Sequence, residues 1–119
     1  SLRKLMENVL TRSLPNCKWK FAEDGLQACT LLGSFQPHLI ITDVEMPKMD
    51  GVEFIQFLKK NDMYRDTGVF VQSSLESTSE KIEAIKKCHV DKIFTKPFKS
   101  KPLISEIKSF IFDNLVRVG

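Results

Sequence analysis

The sequence predicts an α/β fold built on a doubly wound parallel sheet. Short apolar runs alternate with amphipathic stretches of helical period. The intervening helical stretches run to about 10–15 residues, the spacing of βαβ units whose helices cover both sheet faces. The run His38-Leu39-Ile40-Ile41-Thr42-Asp43 is apolar without alternation until a carboxylate ends it, as in a buried parallel strand.

Each element follows from its own residues. Leu2, Leu5, Met6, Val9 and Leu10 fall at i, i+3, i+4, i+7 and i+8, which predicts an amphipathic helix broken by Pro15-Asn16. Lys18 to Ala22 sets Trp19 and Phe21 against Lys18 and Lys20, which predicts a short strand with one wet face. Asp24 suits the N-cap of a second helix that buries Ala28, Leu31 and Leu32 and stops at Gly33 and Pro37. After the strand over 39–43, residues 46–51 form a loop. Asp50 then caps a third helix carrying Val52, Phe54, Ile55 and Leu58. Val69-Phe70-Val71 is the next strand, ending in Gln72-Ser73-Ser74. Ile82, Ala84 and Ile85 mark another helix, and Ile93-Phe94-Thr95 a last strand before Lys96-Pro97. Ser100 is expected to cap a final helix with Leu103, Ile104, Ile107, Ile111 and Leu115 inward.

Composition narrows the class. At 119 residues, 42% hydrophobic and 28% charged, the chain can build one core, so residues 1–119 are read as a single domain. No apolar run approaches the ~20 residues of a membrane span, and no leader pattern opens the chain. Because Ser1 rather than Met comes first, the chain is expected to be a processed product or a cut-out. Cys17, Cys29 and Cys88 form no CxxC pair, which points to reduced thiols and a cytoplasmic location. The net charge of +3 is uneven: residues 1–80 are slightly acidic and residues 81–119 basic. No Lys/Arg cluster is interleaved with aromatics, so direct nucleic-acid binding is not indicated. His38 and His89 read as structural residues.

In doubly wound folds, ligand chemistry sits beyond the carboxyl ends of the strands. Asp43, Ser73 and Lys96 stand at three such ends. Singly, each has a plainer use as a cap or a surface charge. Together they suit a phosphoryl group: a carboxylate nucleophile, a hydroxyl to hydrogen-bond the phosphoryl oxygens and an ammonium to neutralise them.

The segments Phe21-Ala22-Glu23-Asp24-Gly25, Ile40-Ile41-Thr42-Asp43-Val44-Glu45-Met46-Pro47-Lys48-Met49-Asp50-Gly51, Val69 to Ser74 and Thr95-Lys96-Pro97-Phe98 resemble the receiver domain of two-component response regulators. The resemblance covers nearly the whole chain. It implies a flavodoxin-like sheet of order 2-1-3-4-5. It implies Asp43 as phosphoacceptor, Ser73 as switch hydroxyl, Lys96 as phosphate contact and a cis bond before Pro97. It implies magnesium, with Asp43 and the backbone carbonyl of Glu45 as the matching ligands. A histidine kinase or histidine phosphotransfer domain would be the donor, meeting the first helix near Arg3 and Lys4. An output protein would meet the face of the fourth helix, last strand and last helix, where Lys81, Lys86, Lys87, Lys92, Lys99 and Lys101 collect. Such a module is regulatory rather than an enzyme acting on a separate substrate.

Two departures accompany the resemblance. The family's first strand, with its pair of metal-binding acids, has no counterpart before the first helix. The chain is therefore expected to be an N-terminally incomplete receiver that keeps strands at Lys18, Leu39, Val69 and Ile93. Magnesium binding should be weakened or absent in it, and the gap invites re-pairing, dimerisation or strand exchange. Glu23-Asp24 matches a different turn and is not the metal pair. The family's usual aromatic switch position is Ile93. Two other readings compete: a pseudo-receiver that binds proteins without phosphorylation, and an aspartyl-phosphate hydrolase. The hydrolase would need an acid/base Asp where Glu45 stands.

Overall fold

In the computed structural model, residues 2–45, 48–74, 77–96 and 99–116 are described. They form two compact units, one of residues 20–96 and one of residues 1–19 with 97–119.

The 20–96 unit is a parallel sheet with three helices. Its strands are β1 (Leu39–Asp43), β2 (Gly68–Ser73) and β3 (Lys92–Thr95), in the order β1-β2-β3. Its helices are α2 (Gly25–Leu32), α3 (Gly51–Lys60) and α4 (Ser79–Lys87). Register places Asp43 opposite Gln72 and Ser73 opposite Thr95. Two contacts set it at the entry ends. Gly68 N–H donates to the His38 carbonyl at 3.0 Å. The Asp91 carboxylate accepts Val69 N–H at 2.8 Å while Asp91 N–H donates to the Val69 carbonyl at 2.9 Å.

Side-chain alternation then sorts the faces. Val69 and Val71 join a cluster with Val44, Phe54, Ile55, Leu58, Tyr64 and Ile85, against which Ile40 and Ile93 also pack. Phe70 and Phe94 pair on the opposite face, ring centroids 5.6 Å apart. Caps close the helices as their sequences require: Asp24 accepts from Gln27 N–H, Asp50 from Val52 N–H and Thr78 from Lys81 N–H. Tyr64, which carried no expectation, is buried and donates its hydroxyl to the Leu32 carbonyl at 3.0 Å.

The other unit holds α1 (Leu2–Ser13) and α5 (Ser100–Ile111), followed by a π-helical turn over Phe112–Val116. Leu10 and Leu14 are buried from the first segment, and Leu103 and Ile107 from the second.

Four expectations are corrected. Residues 18–22 form no strand and do not join the sheet. Alternation describes a face, and among the described residues no neighbouring strand accepts a ladder from 18–22. Among the described strands β1 is consequently an edge, and all but Thr42 of its residues are half-buried; β2, with partners on both sides, is buried throughout. Lys99, not Ser100, is the N-cap residue of α5, and it makes no side-chain cap. Of the predicted α1 stripe, Leu10 is buried and Met6 and Val9 are half-buried, whereas Leu5 stays 52% exposed. The side chain of Leu115 and the Lys96-Pro97 bond lie outside the described residues.

Gly51 opens α3 directly behind the end of β1, with its N–H on the Val44 carbonyl at 3.0 Å. A Cβ there would meet the carbonyl oxygens of Asp43 and Val44 well inside van der Waals contact. Gly51→Ala should therefore cost about 1–3 kcal/mol of stability through overpacking. The check is a lowered urea midpoint at unchanged slope.

Candidate functional site

The site grows from the exit end of β2. Val44 N–H donates to the Gln72 carbonyl at 3.0 Å, carrying the β1–β2 ladder one residue past Asp43. Lys96 N–H donates to the Ser73 carbonyl at 2.7 Å, doing the same between β2 and β3. Asp43 and Lys96 are thus each levelled against the last residues of one buried strand. Their side chains meet: Lys96 Nζ lies 3.3 Å from Asp43 Oδ2, with the two side chains 30% and 39% exposed. That exposure leaves the carboxylate open to an incoming group while a cation stands on it.

Ser73 is buried, and its hydroxyl donates to the Phe94 carbonyl at 3.4 Å. Of the three residues the sequence nominated, Asp43 and Lys96 are in direct contact, and Ser73 adjoins through the Lys96 backbone with its hydroxyl turned to β3. Ile93 is half-buried opposite Val71, within the cluster shared with α3 and α4, whereas Phe94 faces the other way.

Sequence reasoning missed the charges of the β1–α3 loop. Lys81, on the first turn of α4, reaches both Glu45 carboxylate oxygens at 3.1 Å and Asp50 Oδ2 at 2.9 Å. Partial burial pulls the Asp50 carboxyl upward. The hydrogen bonds from Lys81 and Val52 N–H, with the charge of Lys81, outweigh it and hold Asp50 below the usual carboxylate range. Hydrogen bonds to Asp50 and Glu45 in turn raise Lys81 above its usual value. Lys81 is therefore engaged locally rather than one more cation of a basic face, and Lys86 pairs with Glu83. Lys48, at φ 66°, reaches Asp24 at 3.5 Å, so that acid serves as cap and ion-pair partner. The separation of 36 residues between Glu45 and Lys81 left no local signal to find their pairing.

Among the described residues, the donors at Asp43 and Glu45 do not by themselves compose a magnesium site. A hard dication takes about six oxygens in near-octahedral geometry. Asp43 offers one carboxylate, already faced by Lys96, the Glu45 backbone carbonyl would add a single neutral oxygen, and the Glu45 carboxylate is held by Lys81. Among the described residues no cluster of three or more His, Cys, Asp or Glu could hold a metal.

The response regulator receiver domain model matches residues 1–108. Protein PilG of Pseudomonas aeruginosa is 27% identical over 111 residues, covering 93% of this chain and 80% of PilG. Stress response regulator protein 1 of Candida dubliniensis is 27% identical over 94 residues, 79% of this chain but 33% of that protein. In structure, the signal receiver domain of a signal transduction histidine kinase from Syntrophus aciditrophicus superposes with a TM-score of 0.79 at 27% identity, covering 97% of this chain and 87% of that one.

Two outcomes follow from this geometry. Lys96→Ala should change stability by no more than about 1 kcal/mol, since half-exposed pairs are screened; thermal melting reads this. Asp50, with its folded pKa depressed, contributes stability that is present above the unfolded carboxylate pKa and lost as pH falls through the folded value. Asp50→Asn keeps a capping side chain. It should flatten the loss of stability below about pH 4, as measured by urea midpoints across an acid series.

Proposed function

We propose that this chain, which belongs to the response regulator receiver domain family, is the phosphoacceptor module of a two-component phosphorelay. The observation that carries the reading is the Lys96 ammonium 3.3 Å from a half-exposed Asp43 carboxylate at the exit ends of neighbouring strands. A carboxylate oxygen of Asp43 attacks the phosphorus of a phosphohistidine on a histidine kinase or histidine phosphotransfer domain. The P–N bond breaks, and the imidazole nitrogen leaves with the electron pair and takes up a proton. The product is an acyl phosphate carrying about 1.5–2 negative charges. Lys96 then neutralises phosphoryl oxygens, and Ser73 exchanges the Phe94 carbonyl for one of them.

Turning Ser73 removes a hydrogen bond to β3, next to Ile93. Isoleucine has no ring to swing and no hydroxyl, so Ile93 follows by repacking within its cluster. The resulting change is read by an output protein that docks on α4 and β3, provided that protein binds the two states unequally. The reading is of a regulatory domain, cytoplasmic, without direct nucleic-acid contact. Within it residues 1–119 are one receiver, open to dimerisation or strand exchange at the β1 edge. Magnesium enters this reading only with a donor set larger than Asp43 and the Glu45 carbonyl.

That small donor set favours one alternative, a pseudo-receiver that engages partners without phosphorylation. Labelling separates the two. The natural full-length protein, given a phosphohistidine donor and magnesium, should gain a base-labile phosphoryl by intact mass. Asp43→Asn should gain none, and Ser73→Ala should still be labelled but lose the labelling-dependent shifts in β3. An unlabelled natural protein supports the pseudo-receiver, and a labelled Asp43→Asn protein overturns the assignment of Asp43.

A further inference from the structure

The loop that follows Asp43 is crowded with negative charge. Glu45 and Asp50 lie two and seven residues beyond it, and any phosphoryl donor brings further anionic oxygens. One cation answers both carboxylates: Lys81 Nζ sits 3.1 Å from each Glu45 oxygen and 2.9 Å from Asp50 Oδ2. Each of the three residues is anchored beyond this contact. Asp50 caps α3 through Oδ1, which accepts Val52 N–H at 2.7 Å. Lys81 N–H is itself capped by Thr78 Oγ1 at 3.2 Å. Glu45 lies one residue beyond Val44, whose N–H is fixed to β2. The ammonium therefore ties the first turn of α4 to the start of α3 and to the backbone that carries Asp43. The side chains are 31–45% exposed, so the tie is a moderate one.

We infer that Lys81 is a positioning residue for phosphoryl transfer to Asp43, holding the Glu45 carboxylate neutralised on α4 and out of the path of the anionic donor. The inference rests on the phosphoacceptor reading. Without Lys81, two carboxylates of the loop that follows the acceptor lose this counter-charge, and Glu45 is free to swing toward Asp43. Both changes oppose the approach of an anionic phosphoryl group. Lys81 touches neither donor nor acceptor in this scheme; it acts through Glu45.

The test uses the natural full-length protein with acetyl phosphate as probe. Asp43 attacks phosphorus, the P–O bond to the acetyl group breaks and acetate leaves. The rate of base-labile adduct formation is followed by intact mass. Lys81→Met should slow labelling roughly two- to fivefold at low ionic strength, the scale of a partly screened pair. The gap should close in high salt. Glu45→Gln placed in the Lys81→Met background should restore the rate, which a loss of stability alone would not permit. Lys81→Arg, which keeps the charge, should label close to the natural rate, and Lys81→Gln, with the same expected slowing, serves if Lys81→Met does not fold. Equal rates for the natural and Lys81→Met proteins overturn this inference alone, as does a slowing that Glu45→Gln fails to rescue. A natural protein that takes no label at all overturns the phosphoacceptor reading and the role of Lys81 with it.

Discussion

At the exit end of β2, the Gln72 carbonyl accepts Val44 N–H at 3.0 Å and the Ser73 carbonyl accepts Lys96 N–H at 2.7 Å. These two bonds prolong both ladders by one residue and place the end of β1, level with Gln72, one step from the end of β3, level with Ser73. The strand that receives them is buried along its whole length, so it has little freedom to yield. The Asp43–Lys96 pair, the direction of the Ser73 hydroxyl and the start of α3 behind Gly51 all take their positions from this rail. A shift of β2 by one residue would turn every one of its side chains to the other face and separate the three groups.

The site is consequently a product of sheet register more than of loop shape. Register is fixed at the entry end by Asp91 and His38, some five residues from the chemistry. What the loops add is charge. Lys81 from the first turn of α4 and Lys48 from the β1–α3 loop offset carboxylates of the connections. These pairs are half-exposed and individually weak, so the loops stay adjustable while the strands do not. That division suits the switch proposed above, in which a fixed acceptor changes the surroundings it is mounted in.

Much of this was legible in the residues. Asp24 and Asp50 were readable as caps because capping chemistry is local. The fully apolar run Val69 to Val71 and the strand-end positions of Asp43, Ser73 and Lys96 follow from period and topology. The strand assigned to Lys18–Ala22 was not, because alternation describes a face and says nothing about whether a neighbouring strand is there to accept the ladder. For the same reason β1 read as doubly buried and is half-buried instead. The Lys81 contacts were invisible because they join residues distant in sequence across a helix packing that no periodicity encodes. Ser100 and Lys99 differ by a single position, the ordinary uncertainty of a helix start.

In the proposed phosphoacceptor, Asp43, Ser73 and Lys96 respond as one unit through β2. The direct measurement is the amide spectrum of the natural full-length protein on adding trifluoroberyllate, a stable mimic of an aspartyl phosphate. The largest shifts should fall at Val44, Ser73 and Lys96, with Thr95 and Ile93 following, and Asp43→Asn should abolish them. Shifts that leave Ser73 and Lys96 unmoved, or that survive in Asp43→Asn, would contradict it.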